Sequence, residues 1–207
     1  MINNDIAKIG AIAHNFTSDA VMPNGKIEKK FNLHDFLGKN DSYGLIFFYP
    51  LDFTFVCPTE LISFDKRIND FEALNCKIIG VSIDSVFVHS KWRETSIQDG
   101  GIGEIKYPLI SDLNHKIMQK YGVVNEDASV AYRGTFIIDK NLIIRHISIN
   151  DLNIGRNVDE YLRILNALQH AEKYGEVCPA NWNKGDDAMT PTDEGLKHYC
   201  KSNGDNL

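Results

Sequence analysis

The sequence predicts an α/β fold built on a central mixed sheet, and three observations carry that expectation. The continuous apolar run Gly44-Leu45-Ile46-Phe47-Phe48-Tyr49 reads as a buried strand, and Cys76-Lys77-Ile78-Ile79-Gly80-Val81-Ser82-Ile83 as a second. Segments with helical spacing of apolar residues separate and follow them. Val130 to Asp139 and Leu142 to Ile149 flank the short Lys140-Asn141 turn, which adds an antiparallel pair to strands joined by helical crossovers.

Each element has its own signal. After Pro58, residues Leu61, Ile62, Phe64, Ile68, Phe71 and Leu74 recur at helical spacing. Ser85 to Gln98 reads as a helix carrying Trp92, and Leu113 to Tyr121 as another, closed by Gly122. Asn157 opens an amphipathic helix with Val158, Tyr161, Leu162, Ile164, Leu165 and Leu168 on one stripe. From about Asn181 the chain turns polar, with a short helix-capable stretch near Pro191 to Tyr199, and reads as a tail that must lean on something to be ordered. No internal repeat or low-complexity block is present.

A chain of 207 residues is long enough to bury a proper core. Its net charge of −6 argues against nucleic acid or an anionic membrane as the main partner. No apolar stretch approaches spanning length, and the N-terminus lacks a basic then apolar leader, so a cytoplasmic location is the expectation. Asn15-Phe16-Thr17 fits a glycosylation acceptor, which that expectation discounts. The cysteines Cys57, Cys76, Cys178 and Cys200 are too few and scattered for a disulfide framework, and no pair has zinc-knuckle spacing.

Cys57 is the cysteine with a setting. The run Phe48-Tyr49-Pro50-Leu51-Asp52-Phe53-Thr54-Phe55-Val56-Cys57-Pro58-Thr59-Glu60 ends a strand, turns, and delivers a thiol to the mouth of a helix. There it meets unpaired N–H groups and the positive end of the macrodipole. Pro58 suits the first helical position, where its missing N–H costs nothing. Simple burial is the commoner fate of a cysteine. The strand–turn–helix context with Pro50, Thr54 and Pro58 favours a reactive thiol. Glu60 stands where a Cys-x-x-Cys pair would need its second cysteine, so any redox partner lies elsewhere. His34 and His89 could be imagined as the base of a cysteine hydrolase, but their surroundings give that no support.

The segment Phe48 to Glu60 resembles the active-site signature of the peroxiredoxins, with Pro50, Thr54 and Cys57 at matching positions. Gly80 to Ser85, Arg133 to Asp139 and Gly155 to Glu160 follow in family order. Gly175-Glu176-Val177-Cys178-Pro179-Ala180-Asn181-Trp182 resembles the resolving-cysteine segment of typical 2-Cys members, a subgroup that includes the alkyl hydroperoxide reductase C component. The resemblance implies a thioredoxin-like peroxidase domain over 1–170 and a C-terminal extension over 171–207. It also implies an obligate homodimer, often a decamer of five dimers, and no cofactor beyond thiols.

Chemistry constrains the roles. An ordinary thiol titrates near 8.5, so about 3% is thiolate at pH 7. Lowering that value to about 6 raises the thiolate about 30-fold, but the lost nucleophilicity returns roughly 10- to 18-fold. Ionisation alone gains almost nothing, and the rate must come from stabilising the transition state. The resemblance implies that Thr54 and Arg133 hold the two peroxide oxygens, that Pro50 shields the sulfur, and that Glu60 and Arg156 orient Arg133. Taken alone, Arg156 reads as a solvated surface charge.

Attack on peroxide converts a cysteine to sulfenic acid, which condenses with a thiol. Cys178 is the candidate, and its spacing from Cys57 does not decide between pairing within a chain and across chains. The resemblance implies the partner subunit, and recycling by a thioredoxin-type protein. Cys76 reads as a core residue, and Cys200 matches nothing catalytic. Gly100-Gly101-Ile102-Gly103 resembles a motif of members that over-oxidise easily, whereas their C-terminal Tyr-Phe pair is replaced here by Tyr199-Cys200. The alternatives are a peroxide-triggered chaperone or signalling assembly, a one-cysteine enzyme, and a redox-inactive binding module. The last gives no reason for Thr54, Cys57 and Arg133 to coincide with the pattern.

Overall fold

A computed structural model describes residues 6–38 and 42–204. The protein divides into two compact units, the first running to Val158 and the second starting at Asp159.

The first unit carries a seven-stranded mixed sheet. Its strands are β1 (Thr17–Val21), β2 (Ile27–Asn32), β3 (Tyr43–Phe48), β4 (Cys76–Ser82), β5 (Leu109–Ser111), β8 (Arg133–Ile138) and β9 (Ile144–Asn150), in the order β2-β1-β5-β4-β3-β8-β9. A separate two-stranded ribbon joins β6 (Val124–Asn125) to β7 (Val130–Ala131). The helices are α1 (Leu33–Gly38), α2 (Cys57–Lys66), α3 (Ile68–Ala73), α4 (Val86–Glu94) and α5 (Lys116–Tyr121). The middle strand β4 pairs in parallel with β3 and β5, and the pairing turns antiparallel on either side, β3 with β8 and β5 with β1. Every residue of β3 is buried, which explains its unbroken apolar run. Phe48 and Phe136 face each other edge-on at 5.8 Å, and Tyr121 closes on Phe136 at 4.9 Å.

Several segments depart from the sequence reading for local reasons, and the helix expected over Leu113 to Tyr121 starts only at Lys116, after His115 in a left-handed conformation. The helix expected from Pro58 to Leu74 breaks at Arg67, leaving α2 and α3. The helix expected over Ser85 to Gln98 starts with Ser85 as its cap, its hydroxyl accepting from the Val88 N–H, and ends at Thr95, whose ψ of 134° is extended. The strand expected over Val130 to Asp139 breaks at Tyr132, whose N–H bonds Val123 O instead of a sheet neighbour. β1 and β2 had no clear signal. β2 is an edge strand whose Glu28, Lys29 and Lys30 are exposed, the charged surface that protects an edge from pairing, and it shows no apolar alternation.

The second unit contains α6, which spans Val158–Tyr174, and α7, Asp193–Asn203. Tyr161, Leu162 and Leu165 of the α6 stripe are buried. The chain beyond it is ordered by a two-way backbone bridge between Val177 and Met189, and by buried Trp182, whose indole N–H donates to Asp186 O at 3.0 Å. α7 is longer than the sequence suggested, and Thr192 caps it by accepting from the Gly195 N–H.

Truncating Phe136 to alanine empties the contact between Phe48 and Tyr121. Denaturant unfolding of Phe136→Ala is expected to show a loss of about 3–5 kcal/mol.

Candidate active site

β3 ends at Phe48, and the chain crosses one turn before entering α2 at Cys57. Cys57 is the first helical residue and Pro58 the second, one position further in than expected. No side chain caps this end, but Pro58 has no N–H, and the Thr59 and Glu60 N–H groups donate to Val56 O at 3.1 and 3.3 Å. This end therefore offers the turn its dipole rather than the open row of amides the sequence suggested. Cys57 is fully buried.

One turn along α2, Glu60 projects its carboxylate between two arginines from distant parts of the chain. Arg133, at the start of β8, donates from Nη1 to Glu60 Oε2 at 2.6 Å and to Cys57 Sγ at 3.4 Å. Arg133 Nε donates to Leu152 O at 2.7 Å, which fixes the guanidinium plane. Arg156 donates from its backbone N–H and Nε to Glu60 Oε1 at 3.0 and 2.9 Å, and from Nη2 to Oε2 at 2.8 Å. Its Nη1 reaches Phe48 O at 2.9 Å, and its guanidinium lies 5.0 Å from the Phe47 ring centroid. The three side chains are at most 4% exposed. Arg156 is thus a buried strut rather than a solvated charge. Two cations and one carboxylate leave one positive charge uncompensated beside the sulfur.

The structure gathers Cys57, Glu60, Arg133 and Arg156. Pro50 is buried at the start of the turn, and Thr54 is half-buried with its hydroxyl donating to Leu51 O at 2.9 Å. That bond commits the one hydroxyl hydrogen and leaves the oxygen free to accept.

A second buried polar group underlies this turn, and the sequence, in which His89 was weighed only as a hydrolase base, did not show its pairing with Asp52. The Asp52 carboxylate accepts from Tyr49 Oη at 2.8 Å and from His89 Nδ1 at 2.7 Å. Burial pushes the Asp52 carboxyl above its usual range while the His89 bond opposes the shift, and burial also raises the Tyr49 phenol. The only signal in sequence was an aspartate within the Cys57 turn and a histidine at Trp92 minus three, neither diagnostic alone.

In the second unit, the Cys178 thiol points to Ala167 O at 3.6 Å. Partial burial, with the Glu176 charge, raises its titration, and Arg163 opposes this. Arg163 also donates to the Trp182 carbonyl at 3.0 Å, tying the cysteine segment to α6. Cys76 is buried in β4, where desolvation drives its thiol far above the ordinary range. Cys200 is exposed on α7, and all four thiols are free. Among the described residues, no cluster of three or more His, Cys, Asp or Glu is placed to hold a metal.

A thiol at a helix mouth on a thioredoxin-like sheet defines a class, the thiol oxidoreductases, and comparison with known proteins narrows it. The AhpC/TSA family matches residues 9–147, and the C-terminal domain of 1-Cys peroxiredoxin matches 167–202. Alkyl hydroperoxide reductase C of Helicobacter pylori is 48% identical over 93% of this chain and 96% of its own. Peroxiredoxin-1 of Gallus gallus is 50% identical over 93% of this chain and 95% of its own. The reduced 2-Cys peroxiredoxin of Plasmodium vivax superposes with a TM-score of 0.89 at 46% identity, covering 93% of this chain and 98% of that one. The chain belongs to the AhpC/TSA family and is a peroxidase of the peroxiredoxin type.

Removing the Glu60 charge leaves two buried guanidiniums without their counter-ion. Glu60→Gln is expected to lose about 3–5 kcal/mol in chemical denaturation. The exposed Arg67–Asp70 pair is the control, and Asp70→Asn should cost less than about 1 kcal/mol.

Proposed function

We propose that the protein reduces hydrogen peroxide and small organic hydroperoxides through Cys57, with Cys178 of a partner subunit as resolving thiol. The observation that carries this reading is the Arg133 guanidinium held 3.4 Å from Cys57 Sγ by Glu60 and Leu152 O. The Cys57 thiolate attacks one peroxide oxygen. An S–O bond forms, the O–O bond breaks, and the alkoxide or hydroxide that leaves takes up a proton. Arg133 stabilises the charge that moves onto the oxygens in the transition state. Thr54, its hydrogen given to Leu51 O, accepts the O–H of the oxygen under attack. Pro50 walls the sulfur from water, and Arg156 braces Arg133 through Glu60.

The second step joins Cys178 sulfur to Cys57 sulfur and releases the sulfenic oxygen as water. The two sulfurs meet only when their Cα atoms come within about 7 Å, so the first turn of α2 unwinds. A dithiol of the thioredoxin type then reduces the disulfide, taking its two electrons. In this reading the enzyme works in the cytoplasm as a homodimer that assembles into a ring of five dimers. The edge strand β9 and the exposed Phe53, Phe55 and Phe87 supply apolar contact surface for such assembly.

The match of residues 167–202 to a 1-Cys C-terminal domain keeps a one-cysteine reading in play. A non-reducing gel after one equivalent of hydrogen peroxide separates the two. Wild type is expected to show a reducible dimer band that Cys178→Ser loses, while the mutant accumulates a sulfenic acid trapped by dimedone. Wild-type protein that loses the Cys57 thiol with no disulfide would establish the one-cysteine reading instead. If Cys57 does not react, this account of the active thiol is wrong.

A further inference from the structure

The turn between Pro50 and Cys57 is held from beneath by α4. His89 and Trp92, three residues apart, lie on the same helix face. Each holds one of the two residues preceding Thr54. The His89 ring meets the Asp52 carboxylate through Nδ1, and both side chains are completely buried. The Trp92 ring packs on Phe53 at 5.8 Å and on Tyr49 at 6.1 Å. The Asp52 N–H is also taken, by Asp84 Oδ2 at 2.9 Å, and Ser82 Oγ fixes that carboxylate in turn at 2.7 Å.

Phe53 has a φ of 53°, in the left-handed region that a bulky side chain rarely enters. Such a conformation persists only when its surroundings over-determine it. Here the anchors are Asp52 on one side and the Trp92 contact on the other. The product of that constraint is the direction in which Thr54 leaves the turn.

We propose that His89 is a positioning residue for peroxide reduction, acting through Asp52 to hold the turn that aims Thr54 at the substrate. The inference rests on the peroxidase role given to Thr54 above. It goes beyond a packing role because the demand on His89 is specific: one donor at Nδ1, directed at Asp52. The opposite nitrogen, Nε2, faces Ile110 O at a longer 3.4 Å. Without the Nδ1 donor, the Asp52 carboxylate keeps one side-chain donor, Tyr49, in a dry site. It must then protonate or draw away, and either change loosens the turn.

Two amide substitutions test the two nitrogens separately, because an asparagine amide falls near Nδ1 and a glutamine amide near Nε2. Rapid mixing gives the second-order rate of Cys57 oxidation by hydrogen peroxide. Alkylation by iodoacetamide, which needs the sulfur but no hydrogen bond from Thr54, reports on the thiol alone. In His89→Gln the peroxide rate is expected to fall about 10- to 100-fold, the scale of a misplaced reacting geometry, with alkylation unchanged. His89→Asn is expected to restore the peroxide rate toward wild type. Equal losses of peroxide and alkylation rates in both variants would make His89 a fold element only and overturn the proposal. Failure of His89→Asn to recover more than His89→Gln would also overturn it. Thr54→Val separates the layers. If it slows peroxide attack while His89→Gln does not, the positioning role fails and the Thr54 role stands. If Thr54→Val has no effect, both fall.

Discussion

Glu60 between Arg133 and Arg156 is the interaction on which the rest of the site depends. Its carboxylate accepts from both guanidiniums and from the Arg156 backbone, in a space closed to solvent. The three residues come from α2, the start of β8 and the segment before α6, and Arg156 also bonds Phe48 O, so one buried cluster fastens the helix that bears Cys57 to β3 and β8. A buried ion pair is seldom a net stabiliser against an apolar substitute, because desolvation offsets the Coulomb attraction. What it supplies here is a fixed direction and an odd charge. Two cations against one carboxylate leave one positive charge, and Cys57 Sγ lies within reach of Arg133 Nη1.

That arrangement agrees with the limits of thiol ionisation. Making more thiolate returns most of its gain as weaker nucleophilicity. In the proposed mechanism, a guanidinium whose plane is already set by Leu152 O on Nε and Glu60 on Nη1 would need no reorganisation as charge moves onto the peroxide oxygens. The turn that leads into Cys57 is constrained as well, with Phe53 in a left-handed conformation, Asp52 anchored to Tyr49 and His89, and Thr54 bonded to Leu51 O. Polar contacts thus hold both the Arg133 guanidinium and the turn that precedes Cys57.

The sequence exposed the elements whose burial is uniform and hid those whose environment is mixed. β3 and β4 declared themselves because central strands covered on both faces carry long apolar runs, unbroken in β3 and interrupted by Lys77 in β4. β2, an edge strand with Glu28, Lys29 and Lys30 outward, did not, since the same charges that guard the edge erase the alternation. The break at Tyr132 depends on one backbone bond to Val123, which no composition signals. At the site, Cys57 was legible from its strand–turn–helix setting. Arg133, Glu60 and Arg156 are separated by up to 96 positions, and only the resemblance drew them together. The pairing of Asp52 with His89 escaped for the same reason, the two being 37 positions apart until the fold buries them face to face.

The central claim is that the oriented Arg133 guanidinium, more than the exposure or simple ionisation of Cys57, sets the rate of peroxide attack. The most direct measurement is the second-order rate of Cys57 oxidation by hydrogen peroxide in Arg133→Met, with iodoacetamide alkylation measured alongside. The account predicts a fall of about 10²- to 10³-fold with peroxide, the usual loss on removing one preorganised donor, and a much smaller change in alkylation. Equal falls in the two reactions would reduce Arg133 to a counter-ion for the thiolate, and an unchanged peroxide rate would contradict the account outright.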